Sequence, residues 1–474
     1  MRRSRNGDER GKSYCLRMSK NPAVKMAKII RFLKAYKRII VFSPVFACSA
    51  LILVHPDEFG RAIDLIFLAI LVMLIASQFF WVRRVLDLGE RFLPGKPRRA
   101  FLAVVASLVY LFFFLYNFGP LTSSFHILRV ADMRLSSVLM EGTFWWWLVG
   151  SWAGFGFVMV FWMADRATRS AAWVYRKLRE VAAGHPPTPE SAALGLDPPS
   201  AGRRRFLQQS FVAVSASPFL AAGYGLLYGR LDVEVTRRRI RLARLPKAFE
   251  GFRIAQLSDF HIGPFMPANE IRRCVTITNQ LKPDLIVMTG DFVAWDPEAE
   301  GEVVQALSGL RAPNGVFGCL GNHETETQTE ESITRLFAAQ NVHILRQESA
   351  RIQVRGETLN LIGVDDSLSR SGVVKPLMMP DTVNILLSHG PNNFDRAAQL
   401  GIDLTLAGHT HCGQLSFEFL HRGLCLSRFE TPYVSGWYEK DGAQLYVNRG
   451  IGTTGFPIRL GARPEITVLE LSRA

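Results

Sequence analysis

The chain has 474 residues and a formal net charge of +15, and 48% of its residues are hydrophobic. This length exceeds one ordinary domain and predicts two or three structural units. Residues 1–230 carry 31 Lys and Arg against 13 Asp and Glu, whereas residues 231–474 carry 25 against 28, so the pI of 9.8 reflects the first half. Because that half also holds the long apolar runs, the charge excludes a basic nucleic-acid-binding domain, and we expect no nucleic acid partner.

Five uncharged apolar segments in the first half are long enough, or nearly so, to cross a hydrocarbon core of about 30 Å. They are residues 39–54, 65–82, 100–118, 143–164 and 206–229. A buried core helix is the alternative for any one of them. Five in succession favour membrane spans, and a run of three tryptophans at 145–147 is typical of an interfacial aromatic belt.

The segments outside these runs alternate in charge. Residues 1–38, 83–99 and 165–205 contain 13, 6 and 8 basic residues, whereas 55–62 and 119–142 contain only 1 and 2. Basic loops stay on the cytoplasmic side, so this alternation predicts a cytoplasmic N-terminus and, after five crossings, an extracytoplasmic C-terminal half. We therefore expect a multi-pass protein of a bacterial-type cytoplasmic (inner) membrane.

The predicted organisation has five parts in chain order. They are a basic cytoplasmic arm (1–38), a four-span membrane region (39–164), a basic Pro-rich cytoplasmic linker (165–205), a fifth span (206–229) and a globular domain (231–474). The fifth span follows GRRR in GRRRFLQQS, which resembles a twin-arginine export signal with Arg203 and Arg204 as its pair. A plain positive-inside anchor explains the same residues. Both alternatives export the C-terminal half, and whether the segment is cleaved stays open.

Short apolar stretches alternate with helical patterns from about Leu231 onward, which is typical of an α/β domain. Five of these stretches end in polar turns, with the sequences SDFH, TGDF, GNHE, SHG and AGHTH. Such turns lie at the carboxyl ends of predicted strands, where α/β sheets place their ligands. The polar residues in the turns are Asp259, His261, Asp291, Asn322, His323, His389, His409 and His411.

These side chains indicate a metal site. Carboxylate, amide and imidazole donors without thiolate suit Mn, Fe, Zn or Ni. Seven candidate ligands exceed what one tetrahedral site uses, so we expect two divalent ions that share a bridging carboxylate. Two such ions can polarise a phosphoryl oxygen and offset charge on the attacking and leaving oxygens, which predicts phosphoester hydrolysis.

The ordered blocks DFH, GD, GNHE, SHG and GHTH resemble the calcineurin-like metallophosphoesterase superfamily over residues 245–474. The stretch YVNRGIGTTGFPIRLGARPEITVLEL resembles the closing strands of its membrane-tethered branch. The resemblance does not extend to the first 200 residues; it implies that the α/β domain is a β-sandwich flanked by helices, which follows the N-terminal multi-span helical region predicted from the apolar runs. It also implies a first ion on Asp259, His261 and His411, a second ion on Asn322, His389 and His409, and Asp291 as the bridge.

Four further residues have predicted roles. His323 corresponds to the family's histidine that is not a ligand, and it is the candidate general acid or hydrogen-bond donor to developing charge. Glu324 is expected to orient a neighbouring group. Arg449 and Arg459 are candidates for phosphate binding, although isolated arginines are more often surface residues.

The predicted function is a membrane-anchored phosphoesterase that acts on the extracytoplasmic side. It would hydrolyse a phosphodiester, phosphomonoester or pyrophosphate, with lipid-linked or envelope material as the candidate substrate and membrane lipid as a partner. The alternative is a metal-binding sensor or transport-associated protein without turnover. Transport usually leaves ionisable residues inside the spans, and the predicted spans have none.

Overall fold

The computed structural model divides the chain into two compact units, residues 1–119 and 120–474. It describes residues 72–85, 100–108, 110–111, 135–183, 201–365, 373–417 and 424–474. In the first unit, residues 72–85 and 100–108 are helical. The predicted span 39–54 lies outside the described residues, and the spans 65–82 and 100–118 are described only in part.

Two helices open the second unit, α1 (Leu135–Ala183) and α2 (Ala201–Tyr224). They approach closely because Gly150 has no Cβ, which would otherwise collide with the Phe219 ring. The Trp146 indole donates a hydrogen bond to the Phe219 carbonyl at 2.7 Å. Within the described part of the chain, one helix is long and apolar enough to cross a membrane, at Glu141–Leu178. This single helix leaves the multi-span prediction unconfirmed.

The rest of the unit is a domain of two six-stranded sheets, with strand orders β1-β12-β2-β3-β4-β5 and β10-β11-β9-β8-β7-β6. The first sheet contains β1 (Glu234–Leu242), β2 (Arg253–Leu257), β3 (Leu285–Thr289), β4 (Val316–Cys319), β5 (Val342–Ile344) and β12 (Glu465–Arg473). The second contains β6 (Glu348–Val354), β7 (Glu357–Gly363), β8 (Asn384–Leu387), β9 (Leu404–Ala407), β10 (Gly436–Lys440) and β11 (Ala443–Val447). The helices of the domain are α3 (Ala268–Gln280), α4 (Glu300–Leu307), α5 (Asn322–Glu326), α6 (Glu330–Ala338) and α7 (Phe394–Leu400).

The two sheets pack face to face through a continuous apolar core. Strands such as LIVMT in β3 and NILL in β8 are buried along their whole length, because one face meets the other sheet and the opposite face meets helices. Leu285 and Val287 pack in one cluster with Leu361 and Ile385 of the second sheet. The expected β-sandwich flanked by helices is therefore confirmed.

The last strand of the chain has an unexpected position. β12 lies between β1 and β2, parallel to β1 from Glu234 opposite Glu465 to Leu242 opposite Arg473. It runs antiparallel to β2. β1, the strand that follows α2, thus joins its sheet only through β12.

The helices contact the domain through an apolar junction. Leu226 packs with Phe265 and Ile458, and Trp145 and Trp146 lie against this cluster. A π-helical turn at Gly225–Gly229 links α2 to the domain. A Cβ at either terminal glycine of this turn would meet the Arg459 carbonyl, so the close approach of the two backbones requires glycine.

Candidate metal centre

The five polar turns meet at one edge of the sandwich. Parallel strands place their carboxyl ends at the same rim, and β2, β3, β4, β8 and β9 all lead into it. The structure brings together all the predicted ligand-bearing turns, carrying Asp259, His261, Asp291, Asn322, His323, His389, His409 and His411.

The backbone of these turns is strained. Asp259, His261, Asp291, His409 and His411 have φ angles of 53°, 44°, 57°, 71° and 49°. Non-glycine residues pay of order 1–3 kcal/mol for such conformations and keep them only where the surroundings impose them. Here the neighbouring turns do so, because the Asp259 N–H donates to the Gly290 carbonyl at 3.0 Å and the His261 N–H donates to the Asp291 carbonyl at 3.1 Å.

One group of donors contains Asp259, His261 and His411, whose ligand atoms lie within 4.8 Å of one another. His261 Nε2 is 3.0 Å from His411 Nε2, and His411 Nε2 is 3.3 Å from Asp259 Oδ1. All three side chains are buried.

A second group contains Asp291, His389 and His409. Asp291 Oδ2 is 3.1 Å from His389 Nε2, and His389 Nε2 is 3.1 Å from His409 Nδ1. The same Asp291 oxygen is 3.5 Å from His261 Nε2 in the first group. Asp291 therefore stands between the two groups.

Asn322 supplies a further oxygen. Its amide nitrogen donates to Glu326 Oε1 at 3.0 Å, whereas its buried Oδ1 has no hydrogen-bond partner among the described residues. Buried polar atoms are normally paired, so this oxygen is suited to a cation. Together with the imidazoles and carboxylates, it forms a donor set that fits borderline divalent metals.

Two of the histidines have one ring nitrogen fixed by a neighbour. His389 Nδ1 lies 2.6 Å from the Thr289 carbonyl, which only accepts, so this nitrogen carries the proton and Nε2 faces Asp291. His409 Nε2 lies 2.9 Å from Glu430 Oε1, which leaves Nδ1 facing the centre. Partners of this kind fix ring orientation at metal sites and raise the basicity of the ligand.

The electrostatics keep the two aspartates ionised and His261 neutral. Burial would raise the pKa of Asp291, but the charge and hydrogen bond of His389 lower it below the usual value. Asp259 behaves in the same way beside His411. Burial lowers the pKa of His261 to about 3, so its ring is neutral at pH 7.

Glu324 is buried and holds two of the turns together. Its carboxylate accepts hydrogen bonds from the backbone N–H groups of Phe292 at 2.7 Å, Gly321 at 2.8 Å and Asp291 at 3.0 Å. Burial and the charge of Asp291 raise the pKa of Glu324 to about 7. Glu324 thus orients the backbone that carries Asp291.

The contacts of His323 do not assign it to either of the two groups of donors. Its Nδ1 contacts the Ala294 carbonyl, and its Nε2 lies 4.0 Å from Asp291 Oδ2. Its ring centroid is 4.6 Å from that of His261 and 4.6 Å from that of the exposed Trp295. Its Nε2 therefore faces the metal centre, and the geometry is compatible with a ligand as well as with an acid.

The two arginines are engaged by other protein groups. Arg449 binds Glu465 at 2.8 Å and Glu234 at 2.7 Å. Arg459 is fully buried, donates to backbone carbonyls including that of Ala462, and has Nη2 2.9 Å from His411 Nδ1. These contacts do not support the prediction that either guanidinium binds phosphate. They indicate that Arg459 supports the His411 turn.

Glu430 is the residue that sequence reasoning missed. It contacts His409 from the loop before β10, 21 positions along the chain. It belongs to no motif and lies in no predicted strand end, so its sequence context carried no signal.

Comparisons with known proteins find sequence relatives of this chain. The sequence model of calcineurin-like phosphoesterases matches residues 252–413. The uncharacterised metallophosphoesterase YkuE of Bacillus subtilis is 31% identical over 281 residues, which cover 57% of this chain and 97% of YkuE. The phosphodiesterase YaeI of Escherichia coli is 28% identical over 272 residues, 57% of this chain and 98% of YaeI. A bovine transmembrane protein with a metallophosphoesterase domain is 32% identical over 290 residues, 57% of this chain and 64% of that protein.

Proposed function

The chain belongs to the calcineurin-like metallophosphoesterases, and from this premise we propose that it hydrolyses a phosphodiester with two divalent ions at the extracytoplasmic face of a membrane. Family membership makes it a metal-dependent phosphoesterase. The choice of a diester is supported by the relative that is named a phosphodiesterase. A phosphomonoester or a pyrophosphate is the alternative substrate group. The candidate substrate that contains this group is a lipid or envelope molecule.

The observation that carries the proposal is the position of Asp291. One of its oxygens lies 3.5 Å from His261 Nε2 and 3.1 Å from His389 Nε2, so a single carboxylate serves both groups of donors. Asp259, His261 and His411 would hold one ion, and Asn322, His389 and His409 the other. Mn, Fe, Zn and Ni all suit these donors. When bound, the ions would supply Lewis acidity and offset charge on the phosphoryl oxygens.

The chain's own residues supply orientation and a proton. The Ala294 carbonyl accepts from His323 Nδ1, so Nε2 is the free nitrogen of this ring, and the imidazolium form of His323 would deliver its Nε2 proton to the leaving oxygen. Glu324 keeps the Asp291 turn in place through backbone N–H groups. Glu430 and Thr289 fix the rings of His409 and His389.

Metal analysis of the full chain tests the two-ion proposal. We expect two divalent ions per chain in the purified wild type, and Asp291→Asn should lose both together with diesterase activity. Asp441→Asn, at an exposed turn, is the matched control and should keep metal and activity. Full metal occupancy in Asp291→Asn would contradict the bridging role. Bound metal without hydrolysis of any ester would favour the sensor alternative.

Membrane anchoring is supported by the apolar helix at Glu141–Leu178 and by the alternating charge of the segments around the predicted spans. Reporter fusions test the orientation. A fusion after Gly229 should be active outside the cytoplasm, whereas a fusion near Leu178 should be active inside it. The reverse pattern would place the metal centre in the cytoplasm.

A further inference from the structure

Two short antiparallel segments next to the metal centre, residues 416–417 and 424–425, carry apolar side chains outward. Ser416 bridges Cys425 in antiparallel fashion, and the Phe417 N–H donates to the Leu424 carbonyl at 2.7 Å. A 3-10 helix at Leu426–Phe429 follows and ends at Glu430. We call the side chains of Phe417, Leu424, Leu426 and Phe429 the apolar platform.

The apolar platform is fixed to the site. The Ser427 hydroxyl donates to the Thr410 carbonyl at 2.6 Å, between the two histidines of the GHTH turn. Gly413 packs so closely on the backbone of Leu426 that a Cβ there would collide with it. Glu430, directly after Phe429, contacts His409. The platform therefore forms part of the rim of the metal centre.

The exposure of the apolar platform is unusual for this domain. Phe429 is 94% exposed, and the other three platform side chains are about half exposed, at 44–51%. Among the described residues of 231–474, the other exposed large hydrophobic side chains are Trp295 and Leu336. Clustered apolar exposure of this kind marks a binding surface, whereas single exposed residues need no explanation.

The apolar platform also lies near the membrane-proximal helices. Leu415, two residues before Phe417, packs in the junction that contains Trp145 and Trp146. On α2 and the turn after it, Tyr224 and Tyr228 are more than half exposed. Tryptophan and tyrosine concentrate at the level of lipid head groups, so these residues place the interface beside the platform.

We propose that the apolar platform binds the acyl chain of a membrane lipid whose phosphodiester head group reaches the metal centre. This inference rests on the proposed phosphodiesterase function and names its substrate class. The acyl chain of the lipid would lie on Phe429 and Leu426. The phosphorus atom of its head group would lie beyond Glu430, at the two groups of metal donors. A lipid fits better than a soluble ester because the platform continues from the apolar helix junction.

Two chromogenic diesters that differ only in their alkyl group test this inference. Methyl and hexyl p-nitrophenyl phosphate undergo the same hydrolysis, and both are used below any micelle-forming concentration with the detergent-solubilised full chain. Each fully buried methylene is worth up to about fourfold, so we expect the hexyl ester to have at least about a tenfold higher kcat/KM. In Phe429→Ser and Leu426→Ser this preference should fall to about threefold or less.

Leu336→Ser, on the exposed face of α6, is the matched control and should keep the full preference for the hexyl ester. Thermal unfolding and metal content should be unchanged in all three variants, which separates loss of the binding surface from loss of the fold. Equal wild-type rates for the two esters would overturn the lipid inference and leave the phosphodiesterase proposal intact. Hydrolysis of neither ester with any of the four metals would overturn the proposed function and this inference together. An unchanged preference in the platform variants would assign the surface to a partner protein instead.

Discussion

Glu430 Oε1 lies 2.9 Å from Nε2 of His409, on the side of the ring that faces away from the metal centre. The hydrogen bond lowers the pKa of Glu430, and the carboxylate in turn raises the pKa of His409 against the effect of burial. A carboxylate behind a ligand histidine fixes the ring and its tautomer. The contact therefore gives Glu430, a half-exposed residue outside every predicted motif, a positioning role in the metal centre.

Removal of this contact should weaken metal binding without loss of the fold. We expect Glu430→Ala to lower the affinity for the ion on His409 by about 10- to 100-fold, the usual effect of losing such a partner. Activity should return in excess divalent ion. Competition with a chelator measures the affinity. Glu439→Ala, an exposed carboxylate in β10, is the control, and an equal loss in both variants would contradict the positioning role.

Substitution of His323 and substitution of His409 should have different effects on metal content and activity. His323→Ala should keep its metal while kcat falls by about 10²- to 10⁴-fold on esters with poor leaving groups, the usual contribution of a general acid. A nitrophenyl ester needs less protonation and should hide part of the defect. His409→Ala should lose metal and activity together, and excess ion should rescue it in part.

Metal content decides the role of His323, since its Nε2 can also reach Asp291 and His261. An empty metal position in His323→Ala would make it a ligand. Unchanged turnover on an unactivated ester would remove it from the chemistry and shift the acid role to Glu324.

Gly408 should not tolerate a methyl group. A Cβ at this position would collide with the Ser258 hydroxyl and the Asp259 carboxylate. Gly408→Ala should therefore displace Asp259 and reduce both metal content and thermal stability. Gly301→Ala is the control, because a Cβ there meets nothing within 4 Å and lies in α4. Alanine replaces glycine in a helix with a gain of about 0.5–1 kcal/mol, so this variant should be neutral or more stable.

Glu465 should contribute to acid sensitivity. Burial would raise its pKa, but the charge of Arg449 and the hydrogen bond from Tyr446 lower it below the ordinary 4.5. A depressed folded-state pKa stabilises the fold above the unfolded value, and this stability is lost as the pH falls from about 4.5 through the folded value. Breaking a buried pair costs about 3–5 kcal/mol, so Glu465→Gln should be less stable at pH 7 and should lose less stability on acidification.

Denaturant unfolding of the full chain between pH 7 and pH 3 measures this effect. The control is Glu470→Gln on the same strand, which removes a surface pair with Arg239 at 2.9 Å. Exposed pairs contribute about 0–1 kcal/mol, so this variant should follow the wild type. Equal acid sensitivity of Glu465→Gln and the wild type would show that the buried pair is not the cause.

The ends of the strands and the family could be predicted from the sequence, because both are determined by local sequence patterns. An apolar run such as LIVMT followed by GD predicts a buried strand and a polar turn at its carboxyl end, and the structure has β3 and Asp291 there. The two-sheet domain and the resemblance to calcineurin-like metallophosphoesterases are confirmed in the same way. The roles of individual ligands remain proposals.

Contacts between residues that are far apart in the chain could not be predicted from the sequence. Arg459 was one of two candidates for phosphate binding because arginine suits phosphate, whereas its contacts in the structure are backbone carbonyls and His411, which only the packed fold brings together. Glu430 meets His409 for the same reason. The multi-span membrane region stays a prediction, since the described residues contain one helix that qualifies and three of the predicted spans lie wholly or partly outside them.

The pairing of β1 with β12 makes the domain dependent on its own end. β1 leaves the ribosome soon after helices α1 and α2, yet its parallel partner β12 is the last of the twelve strands in chain order. The first sheet cannot be completed until β12 has been made, so β1 has an open edge throughout that interval. Removal of Glu465–Arg473 would separate β1 from the sheet that bears Asp259 and Asp291. A force transmitted along β1 would reach that sheet through β12.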